Sequence, residues 1–270
     1  IIDSELNSQI RSANKLAQQY LLSQQSERGY WWGELHSNPT MEAEFLLLTH
    51  FLGIVDPAQE QKLVNHILES QRKDGTWGQY SGAPGDLSTS VECYFALKLA
   101  GHSLDSKPLQ KAREFILSKG GTPKVRVFTK IWLALFGQWE WKGTPNMPPE
   151  MIFLPSWAPF NIYHFASWAR ATIVPMLIIL TRRPNCPVPK SSNIDELYLN
   201  GREGTDYTLP KPTGGFGWSQ VLWWSDKLVG LYHRLPVHPF RRLAERKIIR
   251  WVLEHQEADG SWAGIQPPWV

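Results

Sequence analysis

Three stretches of the chain share one order of apolar and polar positions: an amphipathic run, a Gln, a polar turn holding a Gly, and a Trp. Residues 71–78 read QRKDGTWG, residues 256–264 read QEADGSWAG, and residues 24–33 read QQSERGYWWG. They follow the runs LVNHILES, IIRWVLEH and LAQQYLL. Each run predicts a helix that ends at the Gln, with Gly supplying the positive φ that stops a helix and tightens the turn after it. A second register accompanies the first. Glu44, Glu92 and Phe128 each stand nine residues before a glycine (Gly53, Gly101 and Gly137), at the head of a strongly apolar segment. Gly53 to Gln71 and Gly101 to Lys119 are both 18 residues, and Gly53 to Gly101 is 48. Periods of this size indicate stacked helical hairpins. Lys119 takes the place of the Gln and leads into Gly120-Gly121, which predicts a turn without the Trp.

The periodicity predicts helices over about 5–23, 41–52, 58–70, 90–100, 107–118, 127–136, 161–181, 217–233 and 240–255, with almost no strand signal. Thr89 and Glu92 have the spacing of a capping box at the head of the fourth helix. From Val91 to Ala100 apolar side chains point nearly all round, as in an inner helix buried on every side. The helices ending at Gln71 and Gln256 are amphipathic and belong to an outer layer. Proline-rich stretches at 145–159 and 184–212 break the repeat and predict long loops, functional or packed on something outside this chain. Pro175 should kink its helix against Ala171. On a helical wheel Trp218, Val221, Leu222, Leu228, Val229 and Tyr232 share a stripe. Trp223 falls among Ser219, Lys227 and Gly230, where it should be exposed or covered by a partner such as a membrane interface. Arg242, Arg246 and Arg250, four apart, read first as a solvated face and second as a contact for lipid head groups.

Composition narrows the function classes. In 270 residues, 42% hydrophobic content is ample for a substantial core, and 14 Trp, 11 Phe and 8 Tyr must be consumed by the turns or by a cavity. A net charge of +3 demands no nucleic-acid stripe. Cys93 and Cys186 form no CxxC pair, which excludes a cysteine zinc site, gives no disulfide framework and makes a reducing compartment the default. The eight His show no paired-ligand spacing, and there is no glycine-rich phosphate loop. The longest clean apolar run, residues 173–180, is far short of the roughly 20 residues a spanning helix needs.

The QxxDGxWG turns resemble the QW repeats of triterpene cyclases. YWWGELHSNPTMEAEF, RVFTKIWLALFG, NIYHFASWARAT, VHPFRRLAE and GIQPPW look like the N-terminal part of squalene-hopene cyclases, in order and over essentially the whole chain. The resemblance implies an all-α fold, an α/α barrel (toroid) of helical hairpins, one of two barrels that enclose an apolar cavity. Residues 1–35 would be an N-terminal helix and degenerate QW turn packing on the missing second barrel, and residues 36–270 the barrel itself, truncated at its C-terminal end. The implied activity is protonation of squalene at a terminal double bond and a cationic cascade to hopene or, if water captures the last cation, hopanol. No metal or organic cofactor is implied. The implied partners are squalene, one leaflet of a membrane bound monotopically, the missing C-terminal barrel and a possible homodimer, with no nucleic acid; the location is the cytoplasmic side of a bacterial cytoplasmic membrane. Aromatic faces suit such chemistry because they stabilise carbocations, by about 2 kcal/mol or more when dry, without quenching them.

Residue by residue, the resemblance puts Trp168 and Phe128 at the substrate cavity, although Phe128 equally suits inner-ring packing. Phe165 and Ile173 match a channel constriction. Glu44, Glu92, Arg126 and Trp132 match a polar network near the cavity, with capping as the competing role for Glu92. Ile265, Gln266 and Pro267 match a loop where the late cation and its terminating water lie. Gln71, Trp77, Gln256 and Trp262 brace helices and are not catalytic. The family's acid is the central Asp of a DxDD motif in the other barrel, and no DxDD occurs in this sequence. The chain alone is therefore expected to be inactive. The competing readings are a non-catalytic helical-repeat module for apolar ligands, a cyclase of a related polyprene, and a protein prenyltransferase barrel, which the Cys and His inventory argues against.

Overall fold

Helix α2 (Thr40–Leu52) ends because Gly53 turns left-handed at φ 67°, and the N–H groups of Gly53 and Ile54 cap the carbonyls of His50 and Thr49. The same pair of bonds recurs after α4 (Leu87–Leu99) at Gly101 and His102, and after α6 (Val127–Leu135) at Gly137 and Gln138. The three predicted glycine stops are thus Schellman-type caps. The computed structural model describes residues 4–31, 37–159, 161–209, 211–214, 217–258 and 260–262. Its other helices are α1 (Ser4–Ser23), α3 (Pro57–Glu69), α5 (Lys107–Ser118), α7 (Ser167–Arg182), α8 (Trp218–Tyr232) and α9 (Arg241–Glu254), interspersed with short 3-10 turns. No strand occurs among the described residues, as an all-α chain requires.

Two compact units divide the chain, Ile1–His36 and Ser37–Val270. In the first, α1 buries none of its residues and exposes Leu6, Ile10, Leu16 and Tyr20. In the second, α2 packs on both α3 and α4, and α4 packs on α5. Helix α4 is the inner element the apolar run predicts: every residue from Ser88 to Lys98 is buried. Helices α3 and α5 bury single stripes, Val64 and Ile67 in one, Leu109, Ala112 and Ile116 in the other. Phe136 sits edge-on to Phe51 and Phe95, at 5.9 and 5.4 Å, and closes the core between α2, α4 and α6. Full burial of each such side chain contributes about 1.5–3 kcal/mol. A second cluster joins α7 and α9 through Val174, Leu177, Ala244, Ile248 and Trp251, with Ile152 from the 3-10 turn Pro149–Phe153.

The three repeat turns superimpose in their hydrogen bonds. Gln71 donates its amide to the carbonyl of Gly75, Gln256 to Gly260, and Gln25 to Gly29. Six residues after each Gln, an indole N–H reaches back to the last turn of the preceding helix: Trp77 to Ile67, Trp262 to Val252, Trp31 to Leu21. Gln25 of the doubled Gln24-Gln25 and Trp31 of the doubled Trp31-Trp32 therefore set the register of the degenerate copy. Gln71 alone of the three also donates to Pro108, 37 residues on, tying its turn to the start of α5.

Four expectations need correction. Helix α4 starts at Leu87, because Asp86 takes the cap: its carboxylate accepts from the Thr89 N–H at 2.8 Å and from the Thr89 hydroxyl at 2.9 Å. An acidic cap also answers the helix dipole, so the Thr89–Glu92 box does not form and Glu92 is left for another partner. Helix α7 starts at Ser167, since Asn161 caps a separate 3-10 turn by accepting from the Tyr163 N–H; the helix then runs through Pro175 to Arg182. The proline-rich stretch after residue 184 packs on the chain's own core: Ile194, Leu197, Tyr198 and Tyr207 join the cluster around α4 and α6. There the buried Lys98 ammonium meets Glu196 at 2.8 Å, and Tyr94 donates to the same carboxylate. Finally, on α8 Trp223, expected to be exposed or covered by a partner, is half-buried within the chain, while Trp218, Leu222 and Leu228 of the shared stripe are exposed.

Candidate functional site

Glu92, released from capping, projects from the middle of α4 with only 1% of its surface exposed. Arg126 is extended as the residue before α6, which places its side chain and that of Thr129, three residues on, over the same carboxylate. One guanidinium nitrogen lies 3.0 Å from Glu92 Oε2, and the Thr129 hydroxyl donates to Oε1. Ser88, one turn earlier on α4, accepts the Arg126 backbone N–H at 2.9 Å, so both ends of Arg126 are fixed to one helix. Burial pushes the Glu92 carboxyl above the usual carboxylate range, against the pull of Arg126 and Thr129. Burial also works against the Arg126 charge, but Glu92, with help from Asp86 and Glu44, more than offsets it and leaves the guanidinium above its ordinary value. Glu44, fully buried on α2, thus belongs to the same electrostatic neighbourhood. Trp132, 3% exposed, follows Thr129 by three residues on α6.

Of the four residues expected in a polar network, the structure joins Glu92 and Arg126 directly and sets Glu44 within electrostatic reach of Arg126, while Trp132 is buried on α6. Thr129 and Ser88 also bond to this pair and were not read from the sequence; their signal was spacing alone, three residues after Arg126 and four before Glu92.

An apolar cavity of about 640 Å³ opens beside this region. Its wall includes Val127 at the start of α6, Met147, Met151, Phe165, Leu222 and Trp223. Phe165 is therefore a wall residue of this cavity. Trp223 is half-buried there rather than displayed, and its indole nitrogen approaches the Leu209 carbonyl at 3.4 Å. Trp168, on the first turn of α7, is 52% exposed and Phe128 38% exposed; neither lines this cavity, and Ile173 is partly buried on α7. Arg242, Arg246 and Arg250 form an exposed face of α9. Ile265, Gln266 and Pro267 lie outside the described residues. Cys93 and Cys186 are free thiols, and no described helix is long and apolar enough to cross a membrane.

Residues 15–270 match the family described as the squalene-hopene cyclase N-terminal domain. A squalene-hopene cyclase of Alicyclobacillus acidocaldarius is 48% identical over 257 residues, which cover 94% of this chain and 39% of that protein. A dammaradiene synthase of Dryopteris crassirhizoma is 39% identical over 95% of this chain and 37% of its own length. A squalene-hopene cyclase of Bradyrhizobium diazoefficiens is 34% identical over 99% of this chain and 40% of its own. The chain thus spans about two fifths of the length of these relatives.

Proposed function

Because the chain belongs to the squalene-hopene cyclase family, we propose that it supplies one wall of an apolar reaction chamber in which squalene is cyclised to hopene or hopanol. The observation that carries this reading is the 640 Å³ cavity, whose wall is almost wholly apolar and includes Phe165, in a chain that matches the family over residues 15–270. Trp168 and Phe128 present part-exposed rings that a second domain would enclose, and enclosed ring faces stabilise cations without offering a lone pair to trap them. The buried Glu92–Arg126–Thr129 cluster orders the polar edge of that chamber and is not the initiating acid, since its carboxylate is already engaged by two donors. The proton comes from outside this chain, whose sequence holds no DxDD. The electron pair of a terminal alkene takes that proton, successive double bonds close on the resulting cations, and loss of a proton or capture of water ends the series.

Docking to a membrane leaflet through α8 accompanies this role, with Trp218, Leu222, Trp224 and Leu228 as the exposed apolar contact. The cytoplasmic side of a bacterial cytoplasmic membrane is the location we propose for it. To test the activity, the chain alone and the chain fused to the remaining part of the Alicyclobacillus acidocaldarius relative are incubated with squalene, and the extract is analysed for pentacyclic products. The fusion should yield hopene and the chain alone none. Product from the chain alone would overturn the assignment of the acid; a folded fusion inert toward squalene would overturn the substrate.

A further inference from the structure

Next to the apolar cavity, and sharing Asn146, Leu209 and Asp226 with it, lies a second pocket of about 460 Å³ with a different chemistry. Its wall carries four cations, Lys142, Arg183, Lys227 and Arg234, and the ring of His233. The carboxylate in that wall, Asp226, is occupied by Asn146, whose backbone N–H donates to it at 2.7 Å and whose side-chain amide donates to both oxygens at 3.3 Å. Adjacent arginines are committed elsewhere: Arg182 pairs with Glu245 at 2.7 Å and Arg241 with Glu150 at 3.4 Å. Arg183 and Arg234 pair with no carboxylate among the described residues, whereas Lys227 feels Asp206 and Lys142 stands 3.8 Å from Glu140.

Two further observations point to an anionic occupant. The Nδ1 of His233 accepts from the Arg241 guanidinium at 3.1 Å, which leaves its proton on Nε2. That buried Nε2 has no hydrogen-bond partner among the described residues. Burial and then the neighbouring Arg241 and Arg183 hold the ring below its ordinary value, so it stays neutral in a wall of cations. Arg183 is also the only described non-glycine with positive φ, at 49°, where α7 ends. A left-handed position favours Gly or Asn, yet an arginine occupies it and extends into this wall, bonded to Asn146 at 3.1 Å.

We infer that this pocket binds the phosphate of an anionic phospholipid head group. A free phosphate presents the same chemistry, but the wall runs into Leu231, which is 61% exposed, and the chain continues through exposed Leu235, Val237 and Phe240. An anion flanked on one side by such an apolar surface is one that carries acyl chains. The inference rests on the docking role of α8 for its setting, and its test separates the two. Dihexanoyl phosphatidylglycerol, kept monomeric, is titrated against the chain, against R183Q/R234Q, and against R242Q/R246Q, which removes two charges from the exposed face of α9. Folding of each variant is checked by circular dichroism. Binding should weaken about tenfold in R183Q/R234Q and stay unchanged in R242Q/R246Q. No binding to the chain, or equal loss in both variants, would overturn the pocket. Inorganic phosphate binding as tightly as the short-chain lipid would overturn the lipid source. Flotation with phosphatidylcholine vesicles then judges docking separately: failure there, with the short-chain lipid still bound, sinks the α8 reading and leaves the head-group site standing.

Discussion

Arg126 Nη2 lies 3.0 Å from Glu92 Oε2, a contact between the residue that opens α6 and a carboxylate buried in the middle of α4. The two are unequal partners, since the Glu92 side chain is 1% exposed and that of Arg126 33%. Removing the arginine leaves a buried charge, whereas removing the carboxylate leaves a guanidinium that water can reach. Arg126→Ala should therefore cost about 3 kcal/mol near neutral pH, and Glu92→Gln distinctly less, in urea unfolding.

The same pair predicts a pH dependence. Glu92 is raised in the fold above its ordinary value of 4.5, so the folded chain holds this proton more tightly than the unfolded chain. Its contribution to stability is full below the ordinary value and is lost as pH rises through the raised one. Urea midpoints of the native chain should fall relative to those of Glu92→Gln across that window. The penalty for Arg126→Ala should shrink toward acid, where the orphaned carboxyl takes up a proton. Parallel pH profiles for the native chain and Glu92→Gln would show that Glu92 does not titrate in the fold.

The repeat turns differ in what their glutamines hold. Gln71 serves two carbonyls, Gly75 and Pro108, from a half-buried position, and Gln256, at the surface, serves Gly260 alone among the described residues. Gln71→Ala should cost about 1–2 kcal/mol and Gln256→Ala about half that. Trp77→Phe removes the donor to the Ile67 carbonyl inside a fully buried site and should cost about 2–4 kcal/mol. Equal midpoints for the two Gln variants would mean that the Pro108 tie carries no load.

What the sequence made legible was local. A Gly at a fixed distance after an apolar run announces its own backbone geometry, so Gly53, Gly101 and Gly137 could be read as stops, and the Gln–Gly–Trp spacing could be read as a turn. Where two residues offered the same chemistry, pattern could not choose: Asp86 and Thr89 can both cap α4, and Gln24 and Gln25 can both head the first turn. Long-range partners were invisible for a different reason. The Lys98–Glu196 pair joins residues 98 apart in sequence, and nothing local announces that the proline-rich stretch folds back on α4. On α8 the stripe of Trp218, Leu222 and Leu228 stays exposed while Trp223, Asp226 and Val229 line the cavity, because which face of a helix packs is set by partners distant in sequence. At the site, Glu92 and Arg126 were legible from the family resemblance, while Thr129 needed the geometry of the α6 first turn.

For α8 the exposed and half-buried tryptophans make opposite predictions. Trp218, Leu222 and Leu228 are 73%, 52% and 67% exposed, while Trp223 is held in the cavity wall. Replacing Trp218 and Leu228 together by Ser should weaken flotation with phosphatidylcholine vesicles at least about tenfold and leave the unfolding midpoint unchanged. Trp223→Ser should do the reverse, lowering the midpoint with little effect on flotation. If Trp223→Ser alone abolished flotation, the assignment of the docking face would be wrong.

Two glycines share a φ of 82° but not a neighbourhood, which separates backbone strain from crowding. A Cβ added at Gly75 would stand 2.2 Å from Lys111 Cβ and 3.1 Å from the Lys111 backbone, where α5 passes under the turn; one added at Gly82 would meet open space. Gly82→Ala should thus cost only the left-handed penalty, about 1 kcal/mol. Gly75→Ala must also displace the α5 backbone, which carries Pro108, the second acceptor of Gln71. Its cost should exceed that of Gly82→Ala by about 1–3 kcal/mol. In a Gln71→Ala background that excess should shrink, because the turn is then free to move away from α5. Full additivity of Gly75→Ala and Gln71→Ala in urea unfolding would show that the turn and α5 are not coupled through this contact.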